Sequence, residues 1–212
     1  MKRREIKAII FDLGGVILEV DYQRTIDAFV ALGINDFDAH YNKSVQSGLF
    51  DKMETGQLSN DAFLSELQLL IPSVSKEQIA QAWNAIIMDF PANRISFLIE
   101  LKKQYPTFLL SNTNAIHLEY FNQILKRKHQ LNSIHDGFHK AYLSHEIRKR
   151  KPNTDAFQLI LDEQNLNPET TLFIDDLPQH IAAADALGLQ TLHLKSIHAL
   201  EQELTPLLTK FN

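Results

Sequence analysis

The chain has 212 residues, 44% hydrophobic and 22% charged, enough to bury roughly 70% of its unfolded surface in one or two ordinary cores. Its 21 Lys and Arg against 26 Asp and Glu leave a formal charge of −5, which disfavours nucleic acid or an anionic membrane as partner, because both are bound by neutralising phosphate. With no Cys, disulfides, thiolate nucleophiles and zinc–thiolate sites are excluded, so any metal chemistry must use oxygen or histidine ligands; the composition fits a reducing, cytoplasmic setting.

The N-terminal Met1-Lys2-Arg3-Arg4-Glu5 is basic, but the apolar stretch behind it runs only from Ala8 to Phe11 and ends at a carboxylate. That is too short for a signal peptide or a membrane span. The Ile6–Phe11 run reads as a strand that delivers Asp12 into a turn carrying Gly14-Gly15. In an open parallel sheet ligands bind at the carboxyl ends of strands, so Asp12 is a candidate functional group; closing an Asx turn is the rival reading.

From about Val20 to Asp89 the pattern turns helical. Ile26, Phe29, Val30 and Leu32 recur at helical spacing, as do Phe63, Leu64, Leu67 and Leu70. Ser75 with Gln78 forms a capping box opening a helix that carries Trp83, Ile86 and Ile87, the Trp as core. The expectation is a helical insert over residues 20–89 dividing a core made of residues 1–19 and 90–212. Phe50, Phe90 and Tyr22 either line a cleft between the two or pack within the insert.

Beyond the insert, a helix starting near Pro91 stops at Tyr105-Pro106. β-type runs follow at Thr107–Leu110, Lys140–Leu143, Thr171–Ile174 and Thr191–Leu194, with helical segments between them. Asn153 can cap a helix running towards Gln164, and Leu187-Gly188 supplies a stop before the last run. Lys126-Arg127-Lys128 reads as a solvated helix face, and His117, His129, His135 and His139 lack metal-ligand spacing. The alternation predicts an α/β core with a parallel sheet covered by helices on both faces.

Two of these runs also end in polar groups: Ser111-Asn112-Thr113-Asn114 after the second and Asp175-Asp176 after the fourth. Adjacent carboxylates repel, and a cation would explain them, although solvated loop acids fit as well. Lys151, beside Arg148, Lys149 and Arg150, offers a compact cation or a piece of solvated surface.

Asp12, Ser111, Lys151 and Asp175-Asp176, in this order and each after the right kind of element, resemble the four signature motifs of the haloacid dehalogenase-like (HAD) hydrolase superfamily. The resemblance covers the whole chain, with the helical insert in the position of that family's type-one cap. Within the superfamily it is strongest to small phosphatases acting on sugar phosphates such as glucose 1-phosphate. Asp21-Tyr22, Arg24, Gly48-Leu49-Phe50, the segment from Glu54 to Ser59, Ser111 to Asn114 and Arg150-Lys151-Pro152 carry it.

The resemblance implies a Rossmann-like core and a magnesium-dependent phosphatase hydrolysing a small phosphate ester. Asp12 is then the nucleophile that forms an aspartyl-phosphate, while Mg2+ and Lys151 supply positive charge. The Ser111 hydroxyl, the Asn112 backbone N–H and the turn amides after Asp12 cradle the phosphate. Asp12, the Gly14 carbonyl and the Asp175-Asp176 pair hold the metal, Asp176 in direct contact and Asp175 through water or by orienting the cluster. The insert closes over the site by hinging near Ile17–Asp21 and Asp89–Ala92.

Gly14 departs from the pattern, because most family phosphatases carry there a second Asp that acts as acid and base. That function is worth on the order of 10²–10⁴ in rate. A good leaving group, a substitute such as Asp21 or a water, or weak activity would accommodate its loss. Gly14 also raises the alternative of a 2-haloacid dehalogenase, which works without magnesium, but an acid pair at the last motif would repel its carboxylate substrate. A third reading is a catalytically weak binding or regulatory module.

Overall fold

The computed structural model describes residues 4–34, 37 and 48–209. Met1 to Arg3 of the basic run, and residues 35–36 and 38–47 of the expected insert, lie outside the described residues. Five strands form one parallel sheet: β1 (Ala8–Phe11), β2 (Thr107–Ser111), β3 (Lys140–Leu143), β4 (Thr171–Asp175) and β5 (Gln190–His193), in the order β3-β2-β1-β4-β5. The helices of the described residues begin with α1 (Tyr22–Ala31), α2 (Gly48–Glu54), α3 (Asn60–Leu70) and α4 (Lys76–Asn84), all between β1 and β2. Next come α5 (Arg94–Lys102), α6 (Ala115–His129), α7 (Ser144–Ile147), α8 (Thr154–Glu163), α9 (Pro178–Ala186) and α10 (Leu200–Thr209).

β1 to β4 are largely buried, mostly apolar runs because both faces of the sheet are covered there, whereas the edge strand β5 is half-buried throughout. Successive side chains point to opposite sides. Ile9, Phe11, Leu109, Leu172 and Ile174 pack with Ile95 and Leu98 of α5, Phe121 and Ile124 of α6, and Leu200 and Leu204 of α10. Ala8, Ile10, Phe108, Leu110 and Phe173 join Ala156, Phe157 and Ile160 of α8 and Ala184 of α9. This is the expected α/β, Rossmann-like arrangement. None of the described helices is long and apolar enough to cross a membrane.

Several local expectations are corrected. Ser111 and Asp175 are the last residues of their strands rather than the first beyond them. Asn153 stands at the start of α8, but its side chain makes no capping bond; its backbone carbonyl accepts from the Ala156 N–H instead. α5 starts at Arg94, three residues after Pro91, across a turn in which Asn93 is left-handed. In the insert, Val30 and Leu70 sit on the apolar stripes of their helices yet are 41% and 60% exposed, because the partner helices cover only part of each stripe.

The Ser75–Gln78 capping box forms as expected. α4 stops at Asn84, however, so Ile86 and Ile87 belong to the returning chain rather than to the helix. Phe50 stacks on Trp83 at 5.1 Å, with the Phe63 ring 5.0 Å from the same indole, which gives the insert its own aromatic centre.

Where the chain leaves and re-enters the core, it makes a short antiparallel ribbon. Asp21 N–H bonds to Ile86 O at 2.9 Å, Met88 N–H to Glu19 O at 3.0 Å and Glu19 N–H to Asp89 O at 2.8 Å, with Val20 bridged to Ile87. Beneath it Arg94, 1% exposed, donates to the Val16 carbonyl, to Ile197 O at 2.6 Å and to both Glu201 oxygens, at 2.8 and 3.2 Å. This guanidinium ties the turn after β1 to the C-terminal helix. Arg94→Met leaves the buried Val16 carbonyl, the part-buried Ile197 carbonyl and the Glu201 carboxylate without their donor and is expected to cost about 3 kcal/mol. A lower urea midpoint at unchanged m-value is the check.

Candidate active site

β1 occupies the middle of the sheet, with β2 on one side and β4 on the other, so the chain crosses over in opposite directions at its carboxyl end. Such a switch point opens a crevice. Asp12 follows β1 directly, and its N–H extends the ladder to Ile174 O at 2.9 Å. Lys151, fully buried, reaches up from the turn before α8 and places Nζ 2.7 Å from both Asp12 Oδ1 and Asp175 Oδ2. The Phe173 ring lies 5.5 Å from the same nitrogen.

Asn112 fixes the lysine's backbone through a reciprocal pair: its Nδ2 donates to Lys151 O at 2.8 Å, and its Oδ1 accepts from Lys151 N–H at 2.9 Å. The side chain that follows Ser111 thus holds the cation loop, a role not apparent from sequence.

Asp175 and Asp176 are divided in their surroundings. Asp175, wholly buried, accepts from Lys151, from Leu177 N–H at 2.8 Å and from His180 Nδ1, 3.0 Å from both oxygens. Asp176 instead lines a cavity of about 180 Å³ together with Asp12, Gly14, Asn112, Lys151 and His180. Its backbone is anchored by His193 of β5, whose ring Nε2 lies 3.1 Å from the Asp176 carbonyl. Gly15, at φ +76°, makes room for it: a Cβ there would lie 2.6 Å from the Asp176 carboxyl carbon.

A second cavity, about 80 Å³, adjoins the first and shares Gly14, Tyr22, Glu54 and Asn112 with it. Ser111 and Thr113 add polar groups to its wall, and Leu13, Leu18, Ile86 and Phe121 supply apolar surface. The sequence-derived candidates Asp12, Gly14, Ser111, Asn112, Lys151 and Asp176 therefore meet at one crevice, with Asp175 directly beneath. Phe50 and Phe90 pack against Trp83 and His129 instead, leaving Tyr22 as the aromatic residue of the three that lines the cleft. Asp21 is not there either. It caps α1 by accepting from Gln23 N–H at 3.0 Å.

The charges explain the arrangement. Burial pushes the Asp12 carboxyl up, the Asp175 and Asp176 charges push it further, and Lys151 offsets only part, leaving it at about 8. Burial acts the same way on Asp175, but there Lys151 and the His180 bond more than compensate and hold it down at about 2. Burial works against the charge of Lys151 too, and its two carboxylates outweigh that and raise it. The Tyr22 phenol is pushed up by burial and by Glu54, Asp176, Asp12 and Asp175, so it stays a donor.

One ammonium is therefore too little positive charge for the crevice. Asp12, Asp176 and Gly14 line one cavity, and carboxylate and carbonyl oxygens are the donors that a hard divalent cation prefers. Asp12, Asp175 and His180 also bring ligand atoms within 4.8 Å of one another. That grouping is the poorer candidate, because the Asp175 oxygens are already occupied by Lys151, the Leu177 N–H and His180.

The insert forms the opposite wall. Arg150, next to Lys151, pairs with Asp51 and places Nη2 3.1 Å from Glu54 Oε2, both acids on α2. Gly56, at φ +65°, docks so closely that a Cβ would lie 2.1 Å from the His145 carbonyl of α7. His117, held at about 3 by burial, stacks on Trp83 at 4.9 Å and bonds through Nδ1 to Asn84 Oδ1 at 2.9 Å, linking α6 to the insert.

His180 and Glu54 were missed from sequence. His180, five residues after Asp175 at the start of α9, had a local signal; Glu54 lay in a segment that carries the family resemblance, but nothing in the sequence assigned it a place in the crevice. A larger surface cavity, about 590 Å³, lies elsewhere, by Pro91, Phe97 and His198. Its buried cation, Arg94, is already fully engaged, so it offers no comparable chemistry.

A model of haloacid dehalogenase-like hydrolases matches residues 6–188. The chain is 32% identical over 206 residues to D-ribitol-5-phosphate phosphatase of Bacteroides thetaiotaomicron, spanning 96% of this chain and 98% of that one. It is 27% identical over 208 residues to the sesquiterpene phosphatase astK of Aspergillus oryzae, at 95% and 96% coverage. Among solved structures, a HAD family enzyme from Bacteroides thetaiotaomicron, an aspartate-to-alanine variant complexed with magnesium and inorganic phosphate, superposes with a TM-score of 0.85. It is 30% identical, over 90% of this chain and 95% of that one.

The Asp12 shift has a sign that stability measurements can read. Folded Asp12 keeps its proton to about 8 whereas the unfolded carboxyl releases it near 3.8, so between these values the folded state binds more protons. In metal-free buffer the protein loses stability from this group as pH rises through that window. Asn at position 12 cannot titrate. The unfolding midpoint of Asp12→Asn is therefore expected to gain on that of the unsubstituted protein from pH 5 to pH 8 and to show no such trend below pH 4.

Proposed function

The chain belongs to the haloacid dehalogenase-like hydrolases, and on that premise we propose that it is a magnesium-dependent phosphatase acting on a small sugar or polyol phosphate through an aspartyl-phosphate intermediate. The observation that carries the site assignment is the division of the last acid pair: Asp175 is spent on Lys151, whereas Asp176 lines the cavity beside Asp12. The relative that acts on D-ribitol 5-phosphate supports a polyhydroxylated ester. A cytoplasmic setting fits a chain without Cys.

In this reading Lys151 holds one oxygen of Asp12, which sets the rotation of the carboxylate and leaves the other to attack phosphorus in line. The Ser111 hydroxyl, the Asn112 N–H and the turn amides after Asp12 donate to the equatorial phosphoryl oxygens. Magnesium, held by Asp12, the Gly14 carbonyl and Asp176, supplies the charge that lets two anions approach. Asp175 and His180 act by holding Lys151 in place. Residues 20–89 serve as a cap, the ribbon of 19–21 and 86–89 being its connection and its polar wall contacting the organic part of the ester.

Phosphate release from sugar and polyol phosphates, with magnesium and with chelator, tests the reading beside halide release from 2-chloropropionate. Turnover of the phosphates is expected with magnesium alone and is expected to fall to background in Asp12→Asn. Outer-shell partners of a metal are worth about 10–100-fold, and Asp176→Asn should exceed that loss. Halide release that persists in chelator, with no phosphate release, would replace the phosphatase by a dehalogenase.

A further inference from the structure

We propose that Glu54 of the insert is the acid and base of the reaction, supplying from the opposite wall the proton transfer that Gly14 cannot. The inference rests on the phosphatase reading. A phosphate ester whose leaving group is an ordinary alcohol needs a proton on the departing oxygen, and no side chain is present at position 14 to give it.

Among the described residues lining the two cavities, the carboxylic acids are Asp12, Asp176 and Glu54. Asp12 is committed to attack and Asp176 to the cation. Glu54 lines both cavities together with Gly14, so it faces the same crevice. It is 9% exposed, and Arg150 Nη2 lies 3.1 Å from its Oε2. The two histidines are engaged, His180 through Nδ1 with Asp175 and His117 through Nδ1 with Asn84, and the Tyr22 phenol, pushed up by burial and the surrounding carboxylates, is a poor base for the water step. Asp21 serves the α1 cap.

Asp12 attacks phosphorus; the P–O bond to the ester oxygen breaks, its electron pair goes to that oxygen, and the oxygen takes the proton of the Glu54 carboxyl. The alcohol leaves and Glu54 becomes a carboxylate paired with Arg150. Water then attacks the phosphorus of the aspartyl-phosphate, its proton passes to Glu54, and the P–O bond to Asp12 breaks to restore the carboxylate. Arg150 Nη2, 3.1 Å from Oε2, is placed to stabilise the anion once the proton has gone.

The test compares a polyol phosphate with p-nitrophenyl phosphate, whose leaving group departs without a proton. In Glu54→Gln, kcat/KM for the polyol phosphate is expected to fall about 10²–10⁴-fold. For p-nitrophenyl phosphate kcat/KM stays within about threefold, since it reports steps up to formation of the aspartyl-phosphate. p-Nitrophenol then appears in a burst of roughly one per site, because water lacks its base and the intermediate accumulates.

Gly14→Asp supplies the second arm. A Cβ at Gly14 meets nothing closer than Val20 at 3.5 Å, and its φ is not positive, so the side chain fits. Added to Glu54→Gln, it is expected to restore polyol phosphate turnover. Equal losses of kcat/KM on both esters, or absence of the burst, would overturn the assignment and leave Glu54 a packing or binding residue. If the unsubstituted enzyme releases phosphate from neither ester with magnesium, the phosphatase reading itself fails, a different outcome from either.

Discussion

A single buried ammonium organises this molecule. Lys151 has no contact with solvent, and its desolvation is offset only because two carboxylates close on it at 2.7 Å while Asn112 holds its backbone. An ion cluster of this kind contributes little net stability compared with an apolar core of the same volume. Its effect is to join the ends of β1 and β4, the strand end carrying Asn112 and the turn before α8 at one point. Lys151 is shared equally by the two carboxylates, but Asp175 has the Leu177 N–H and His180 besides, whereas burial and its acidic neighbours push the Asp12 carboxyl up.

The rest of the fold delivers these groups without taking part. The two cores on either side of the sheet fix strand register, and register fixes which residue tops each strand. Backbone compactness then does the fine placement. Gly15 admits the Asp176 carboxyl where any side chain would collide, and Gly56 lets the insert settle against a carbonyl of α7, which brings Arg150 and Glu54 together. Both glycines act by omission of an atom rather than by flexibility.

Much of this was readable from residues. Four of the strand runs stand out because burial on both faces favours near-continuous apolar stretches, and Asp12 and the acid pair stand at the ends of two of them. What sequence could not divide was the work of Asp175 and Asp176. Successive residues leave a strand in opposite directions, so neighbours in sequence meet different surroundings, one an ammonium and the other a cavity. Glu54 was invisible as a site residue for another reason: its place depends on how a helix remote in sequence docks across the crevice. The apolar stripes of α1 and α3 misled in the opposite sense, since Val30 and Leu70 share a periodicity with core residues that the small insert does not fully cover.

The paired backbone segments 19–21 and 86–89 bring the two ends of the intervening polypeptide together as hydrogen-bonded neighbours. To the sheet, everything between them is the tip of a hairpin, however long it grows, and loop-closure entropy rises only slowly with length. The spacing of the strand ends is thus insulated from the length of the polypeptide above them: segments between the ribbon's two strands can lengthen or change shape while the ends of β1 and β4 stay in register.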